Sequence, residues 1–196
     1  MSYRVLSPAN EITILRLIFV PIFAVLVLGR HEVTALVVLV VAAASDAADG
    51  LVARALHEQT ALGVALDPIA DKVLMTTAYL VLSFRGALPW WLTVVVITRD
   101  VGILLTAGAI SLVAGYRPFP PSFLGKTSTM VQVVTVFLAL ASLAAPRIAP
   151  HPMVQVFIYL TAGLAAASGL HYLFSLRHRF GPTTASNETS GRLTGS

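Results

Sequence analysis

The chain has 196 residues, 57% of them hydrophobic and only 11% charged, with a net charge of +4. Soluble domains carry about 25% charged residues, so this composition excludes an ordinary water-soluble fold and points to an integral membrane protein. Cysteine is absent, which excludes disulfides, thiolate catalysis and cysteine-ligated zinc.

A hydrocarbon core about 30 Å thick takes about 20 apolar residues of helix to cross. Six stretches meet that requirement, at residues 12–28, 33–56, 63–84, 88–113, 123–145 and 153–176. Each is continuous, without period-two alternation, and lipid offers no partner to unpaired backbone groups, so the runs are expected to be helices rather than strands. Short connections between them imply an all-α, antiparallel bundle of six transmembrane helices.

Residues 1–10 read as a short interfacial segment, with Pro8 and Asn10 marking its end. The first span follows Glu11, contains Arg16 and lacks an A-x-A cleavage signature, so it is expected to be retained rather than removed as a signal. The second span carries Asp46 and Asp49 near its end, and the third carries Asp67 and Asp71 near its start. Pro68 suits the first turn of a helix capped by Asp67, or a kink if the helix begins earlier. Trp90 and Trp91 open the fourth span as interfacial residues, and Arg99-Asp100 lies inside it. Lys126 and Ser128 begin the fifth span. Gly102, Gly108, Gly163 and Gly169 are expected to let helices approach closely.

One domain is thus expected over residues 1–178, followed by a polar tail, 179–196, rich in Gly, Ser and Thr and expected to be disordered. The five histidines lack ligand spacing. With both termini on one side, that side collects Arg4, Arg54, Arg117, Lys126, Arg177, Arg179 and Arg192, against Arg30, Arg85 and Arg147 opposite. The positive-inside rule therefore puts both termini, and the aspartate-rich helix ends, on the cytoplasmic face of a plasma (inner) membrane. The pI of about 9.9 suits anionic lipid headgroups, and no basic run with interleaved aromatics points to nucleic acid.

Asp46 and Asp49 are three apart and Asp67 and Asp71 four apart, spacings that put each pair on one helix face. Four converging carboxylates repel one another unless something neutralises them. A hard divalent cation does so, and an oxygen-only set suits magnesium, manganese or calcium rather than zinc. The competing structural reading pairs each acid with a basic residue, yet Arg16, Lys72 and Arg99 are the only bases well inside the spans, three against four. Gly50, Ala53 and Gly63 are small enough for a ligand to come close, and Arg54 could reach a phosphate or pair with one of the aspartates.

Asp46-x-x-Asp49-Gly50-x-x-Ala53-Arg54, then eight residues, then Gly63-x-x-x-Asp67-x-x-x-Asp71, resembles the complete signature of the CDP-alcohol phosphatidyltransferase family. The resemblance runs over residues 11–176. It implies an enzyme that transfers the phosphatidyl group of CDP-diacylglycerol to an alcohol and releases CMP, assisted by two Mg2+ or Mn2+ ions. Carried over by position, Asp46, Asp49, Asp67 and Asp71 would be metal ligands, with Asp71 also the catalytic base. Asp46, Asp49, Gly50, Ala53, Arg54 and Gly63 would bind the CDP group, and the resemblance also implies a homodimer.

"LDPIADK" and "ITRDVGI" resemble the branch whose acceptor is phosphatidylglycerol and whose product is cardiolipin. Glycerol 3-phosphate, giving phosphatidylglycerol phosphate, is the alternative acceptor. Ser128 stands where the glycerol-phosphate branch usually has a second lysine; a singly charged diester needs fewer cations than a phosphomonoester. Arg99 and Lys126 would hold the acceptor phosphate, Asp100 orienting Arg99. A cation transporter is the alternative from another class, but its acids would lie at the bilayer midplane, not at helix ends.

Overall fold

The computed structural model describes residues 8–56, 61–114 and 123–180, and side chains within 17–44, 70–106 and 123–172. Six helices make up the described chain: α1 (Pro8–Leu28), α2 (Glu32–Leu56), α3 (Ala61–Phe84), α4 (Trp90–Ala114), α5 (Phe123–Ala144) and α6 (His151–Phe180). No strand occurs among the described residues. The six-helix expectation is met, with shifts at the ends. α1 starts at Pro8, so residues 8–10 are helical rather than a separate interfacial segment, and α6 continues to Phe180, two residues into the expected tail. α3 begins at Ala61, six residues before Asp67, which removes Pro68 from the first turn and places it inside the helix.

Local chemistry sets the turns. α1 and α3 both end in a Schellman arrangement. At the first, His31 N–H donates to Leu26 C=O at 2.9 Å and Arg30 N–H to Val27 C=O at 3.2 Å. At the second, Ala87 N–H donates to Leu82 C=O at 2.9 Å and Gly86 N–H to Ser83 C=O at 3.0 Å. Both need a left-handed residue after the helix. Gly86 supplies it at φ 72°, whereas Arg30 adopts φ 63° despite its Cβ. Pro89 and Pro150 precede α4 and α6, their carbonyls accepting from Leu92 and Met153 at 3.1 and 2.9 Å.

α1 packs on α2 and α3, α5 on α2, α3 and α6, and α4 on α3 and α6. The core is Phe23 and Val27 of α1, Tyr79 and Leu82 of α3, Leu92 and Val96 of α4 and Leu140 of α5, all buried. Polarity is distributed as lipid demands. Val25, Val37, Leu105, Met130 and Val156 face outward, while Ser83 meets Thr93 at 2.6 Å and Thr135 meets Thr161 at 2.7 Å inside. Such interhelical hydrogen bonds satisfy polar groups that hydrocarbon could not. Among the described residues, α5 and α6 contain stretches long and apolar enough to cross a membrane, and α1 and α2 contain shorter apolar stretches.

The glycine expectation holds only in part. Gly102 and Gly163 are exposed, with no described atom within 4 Å of where a Cβ would stand, and among the described residues no helix approaches there; Gly169 faces a neighbour, the Arg99 side chain at 3.9 Å. Helix rotation decides this, because a small residue aids packing only when turned toward a partner. Gly108 lies outside the described side chains.

Candidate active site

Asp46, Asp49, Gly50, Ala53 and Arg54 lie on α2, and Gly63, Asp67 and Asp71 on α3. Of these, only Asp71 falls among the described side chains. Asp49 is seven residues before the end of α2 and Asp67 six residues after the start of α3. At 1.5 Å of rise per residue, both sit about 10 Å from the connection joining the two helices, so the acids of both helices belong to one end of the bundle.

Asp71 is half-buried, between buried Ala70 and half-buried Lys72. Among the described residues, Lys72 pairs with an acid outside the motif. Its Nζ lies 2.6 Å from Oδ2 of Asp100 on α4. The other oxygen of that carboxylate accepts from Arg99 Nη1 at 2.7 Å. Arg99 Nη2 donates to Ser168 Oγ at 2.9 Å and reaches the Gly125 carbonyl at 3.5 Å. One buried carboxylate therefore joins two cations and, through Arg99, ties α4 to α5 and α6. The side chains of Asp100 and Arg99 are 7% and 8% exposed.

Asp100 thus orients Arg99, as the sequence suggested. Two of the three interior bases are held by an acid outside the motif, which weakens the structural reading of the four motif aspartates. Lys126, next to Gly125, is exposed, and no hydrogen bond or ion pair joins it to Arg99 among the described residues. Ser128 is fully buried, and its Oγ, Gln132 Nε2 and Arg99 Nε have no hydrogen-bond partner among the described residues. Ser128 and Gln132 share a face of α5, one turn apart.

Lys72 and Ser168 were not expected here. A signal for Lys72 existed: a lysine at membrane depth needs a counter-ion, and Asp100 is the only acid inside the spans that the motif does not claim. Ser168 gave none, since a serine in an apolar helix reads as packing.

Among the described residues no three potential metal ligands stand together. The donor set of the motif nevertheless fits a hard cation: four carboxylates, no thiolate, and two nearby bases already committed to Asp100. A surface cavity of about 480 Å³ lies elsewhere, at the other end of α3, lined by Phe84, Trp90, Trp91, His151, Gln155 and Tyr159. Phe84 and Trp90 meet edge to face there, with ring centroids 4.8 Å apart, as an interfacial aromatic belt would.

The bundle carries paired aspartates on the consecutive helices α2 and α3, and comparison with known proteins says which family this arrangement belongs to. The family model described as CDP-alcohol phosphatidyltransferase matches residues 6–167, and the chain belongs to that family. It is 35% identical over 176 residues to a Mycobacterium tuberculosis protein named "Probable phosphatidylglycerophosphate synthase", covering 87% of this chain and 81% of the relative. It is 36% identical over 141 residues to a Mycobacterium bovis "Putative cardiolipin synthase", covering 69% and 66%. It is also 32% identical over 185 residues to the Rattus norvegicus "Cardiolipin synthase (CMP-forming)", covering 83% and 59%. The protein is therefore a membrane enzyme of phospholipid synthesis that takes a CDP-alcohol and an alcohol acceptor.

Proposed function

We propose that this enzyme transfers the phosphatidyl group of CDP-diacylglycerol to phosphatidylglycerol, giving cardiolipin and CMP. The observation that carries the choice of acceptor is the cation count beside Arg99. Asp100 already neutralises part of the Arg99 charge, and fully buried Ser128, in the turn after Gly125, brings a hydroxyl instead of a second ammonium. A single-charge diester suits that arrangement better than a phosphomonoester.

In this reading Asp46, Asp49, Asp67 and Asp71 hold Mg2+ or Mn2+, two ions in all. Gly50, Ala53, Arg54 and Gly63 line the nucleotide pocket. A metal ion held by the four carboxylates would supply charge neutralisation at the phosphoryl oxygens. Asp71 orients the acceptor hydroxyl and takes its proton as the new phosphorus–oxygen bond forms and the bond to CMP breaks. Arg99 and Lys126 position the acceptor phosphate. A plasma (inner) membrane with cytoplasmic termini and active site, and a homodimer, belong to the same proposal, the first on loop charge and the second on family resemblance.

The alternative acceptor, glycerol 3-phosphate, is favoured by the Mycobacterium tuberculosis relative, whose name is that of a phosphatidylglycerophosphate synthase. The deciding experiment offers purified protein CDP-diacylglycerol with Mg2+ or Mn2+ and either acceptor, and identifies the lipid product. Cardiolipin is expected. Phosphatidylglycerol phosphate instead would overturn the reading of the cation count while leaving the aspartate chemistry intact.

A further inference from the structure

We infer that Ser168 is a positioning residue for the acceptor, fixing the direction in which the Arg99 guanidinium presents its uncommitted N–H groups. The inference rests on the proposed contact between Arg99 and the acceptor phosphate. It holds for either acceptor, since both bring phosphate oxygens.

A guanidinium carries five N–H donors in one rigid plane. Nη1 of Arg99 donates to Asp100 Oδ1 at 2.7 Å, while Nη2 donates to Ser168 Oγ at 2.9 Å and reaches the Gly125 carbonyl at 3.5 Å. Those contacts take up three donors, and buried Nε has no partner among the described residues. Nε and the second N–H of Nη1 are what the group has left for an oxygen from outside the chain.

Because the group is planar, the direction of those donors follows from how the plane is held. Asp100 is the next residue along α4, so its contact pins one corner of the guanidinium without setting the plane. The reach to Gly125 is longer than an ordinary N–H···O hydrogen bond. Ser168, buried on α6, supplies the second short contact, and it comes from another helix. The stem is seated by the next residue of α6, since Arg99 Cγ lies 3.9 Å from where a Cβ on Gly169 would stand. The Ser168–Gly169 step therefore holds both the stem and the head of Arg99.

Removing the Ser168 hydroxyl leaves Arg99 charged and still paired with Asp100, but free to turn about that contact. If about a tenth to a third of the freed guanidiniums keep the original direction, apparent acceptor affinity falls by about three- to tenfold. No charge is added or removed, so no long-range electrostatic change reaches the nucleotide or the aspartates. A merely structural hydrogen bond between α4 and α6 would behave differently, lowering the melting temperature without favouring one substrate over the other.

The test is steady-state kinetics of the full chain in mixed micelles, varying CDP-diacylglycerol and the acceptor in turn, with melting temperature recorded for each variant. Ser168→Ala is expected to raise the acceptor KM about three- to tenfold while the CDP-diacylglycerol KM stays within about twofold of the parent. Ser168→Thr, which keeps the hydroxyl, is expected to return the acceptor KM to within about twofold. In an Arg99→Met background, Ser168→Ala is expected to add less than about twofold, because the group it positions is gone. An unchanged acceptor KM in Ser168→Ala would overturn the inference, as would an equal rise in both KM values or the same rise in the Arg99→Met background. A threonine variant that melts like the parent but keeps the alanine variant's KM would also overturn it. If Ser168→Ala does not fold, Ser168→Cys decides by the same readouts, because sulfur accepts hydrogen bonds weakly. If Arg99→Met turns over too slowly for kinetics, the KM split and the threonine rescue decide. An Arg99→Met variant with the parent's acceptor KM would overturn the acceptor role of Arg99 itself, an outcome distinct from one in which Arg99→Met raises that KM and Ser168→Ala does not.

Discussion

Arg85→Met tests how the end of the bundle away from the aspartates is held. Arg85, at the end of α3, donates through Nη1 to the Val27 carbonyl at the end of α1 and through Nη2 to Glu32 Oε1 at 2.7 Å in the first turn of α2. One guanidinium thus closes the α1–α2 turn onto α3. A hydrogen bond to a charged group contributes about 1.5–3 kcal/mol, and an exposed ion pair about 0.2–1 kcal/mol. The two side chains are 14% and 20% exposed, and the Val27 carbonyl also accepts from Arg30, so it is not orphaned by the substitution. The loss should be about 2 kcal/mol, or a melting temperature lower by about 4–8 °C.

The pH dependence has a definite sign. The hydrogen bond from Arg85 holds the Glu32 carboxyl below its ordinary value of 4.5. A carboxyl whose value is lowered on folding stabilises above its unfolded value, and that stabilisation is lost as pH falls through the folded value. Thermal unfolding followed by circular dichroism should therefore show the full gap between parent and Arg85→Met at neutral pH. The gap should narrow below pH 4.5, leaving the part due to the Val27 carbonyl. Equal melting at neutral pH, or a gap that widens on acidification, would refute the clamp.

Three further outcomes are expected. Asp67→Asn should abolish CMP release while leaving a folded, helical protein, and substantial turnover by a variant with normal circular dichroism would break the metal-site argument. Asp71→Asn should reduce transfer far more than affinity for CDP-lipid; an equal collapse of both would remove Asp71 from the role of base. Leu82, fully buried between helices, should cost about 2–5 kcal/mol when cut to alanine, and a detergent melt that does not move would show the core to be packed otherwise.

Helix number and placement were legible because they depend on local properties. An apolar run of span length has nowhere to satisfy its backbone except within itself. One boundary error arose at Pro8, which reads as the end of a preceding segment but starts α1. At Pro68 a first turn and an earlier helix start both fitted, and α3 starts earlier. The aspartate motif was legible for a similar reason, since its spacing follows helix geometry and its charges have no other explanation in lipid.

By itself, the sequence determined the membrane setting, the six helices, the acids on α2 and α3, and membership of the phosphatidyltransferase family. Only the tertiary structure decided which charges meet. Asp100 could have served the motif or Arg99 alone; it binds Arg99 and Lys72 together. Gly102 and Gly163 could have lain between helices; they face outward. Ser128 could have faced lipid; it is buried in the turn after Gly125, whose carbonyl Arg99 reaches. Each outcome depends on how far a helix is rotated about its axis and at what depth its neighbour sits. Those two quantities come from packing between segments distant in the chain, and no local pattern of residues specifies them.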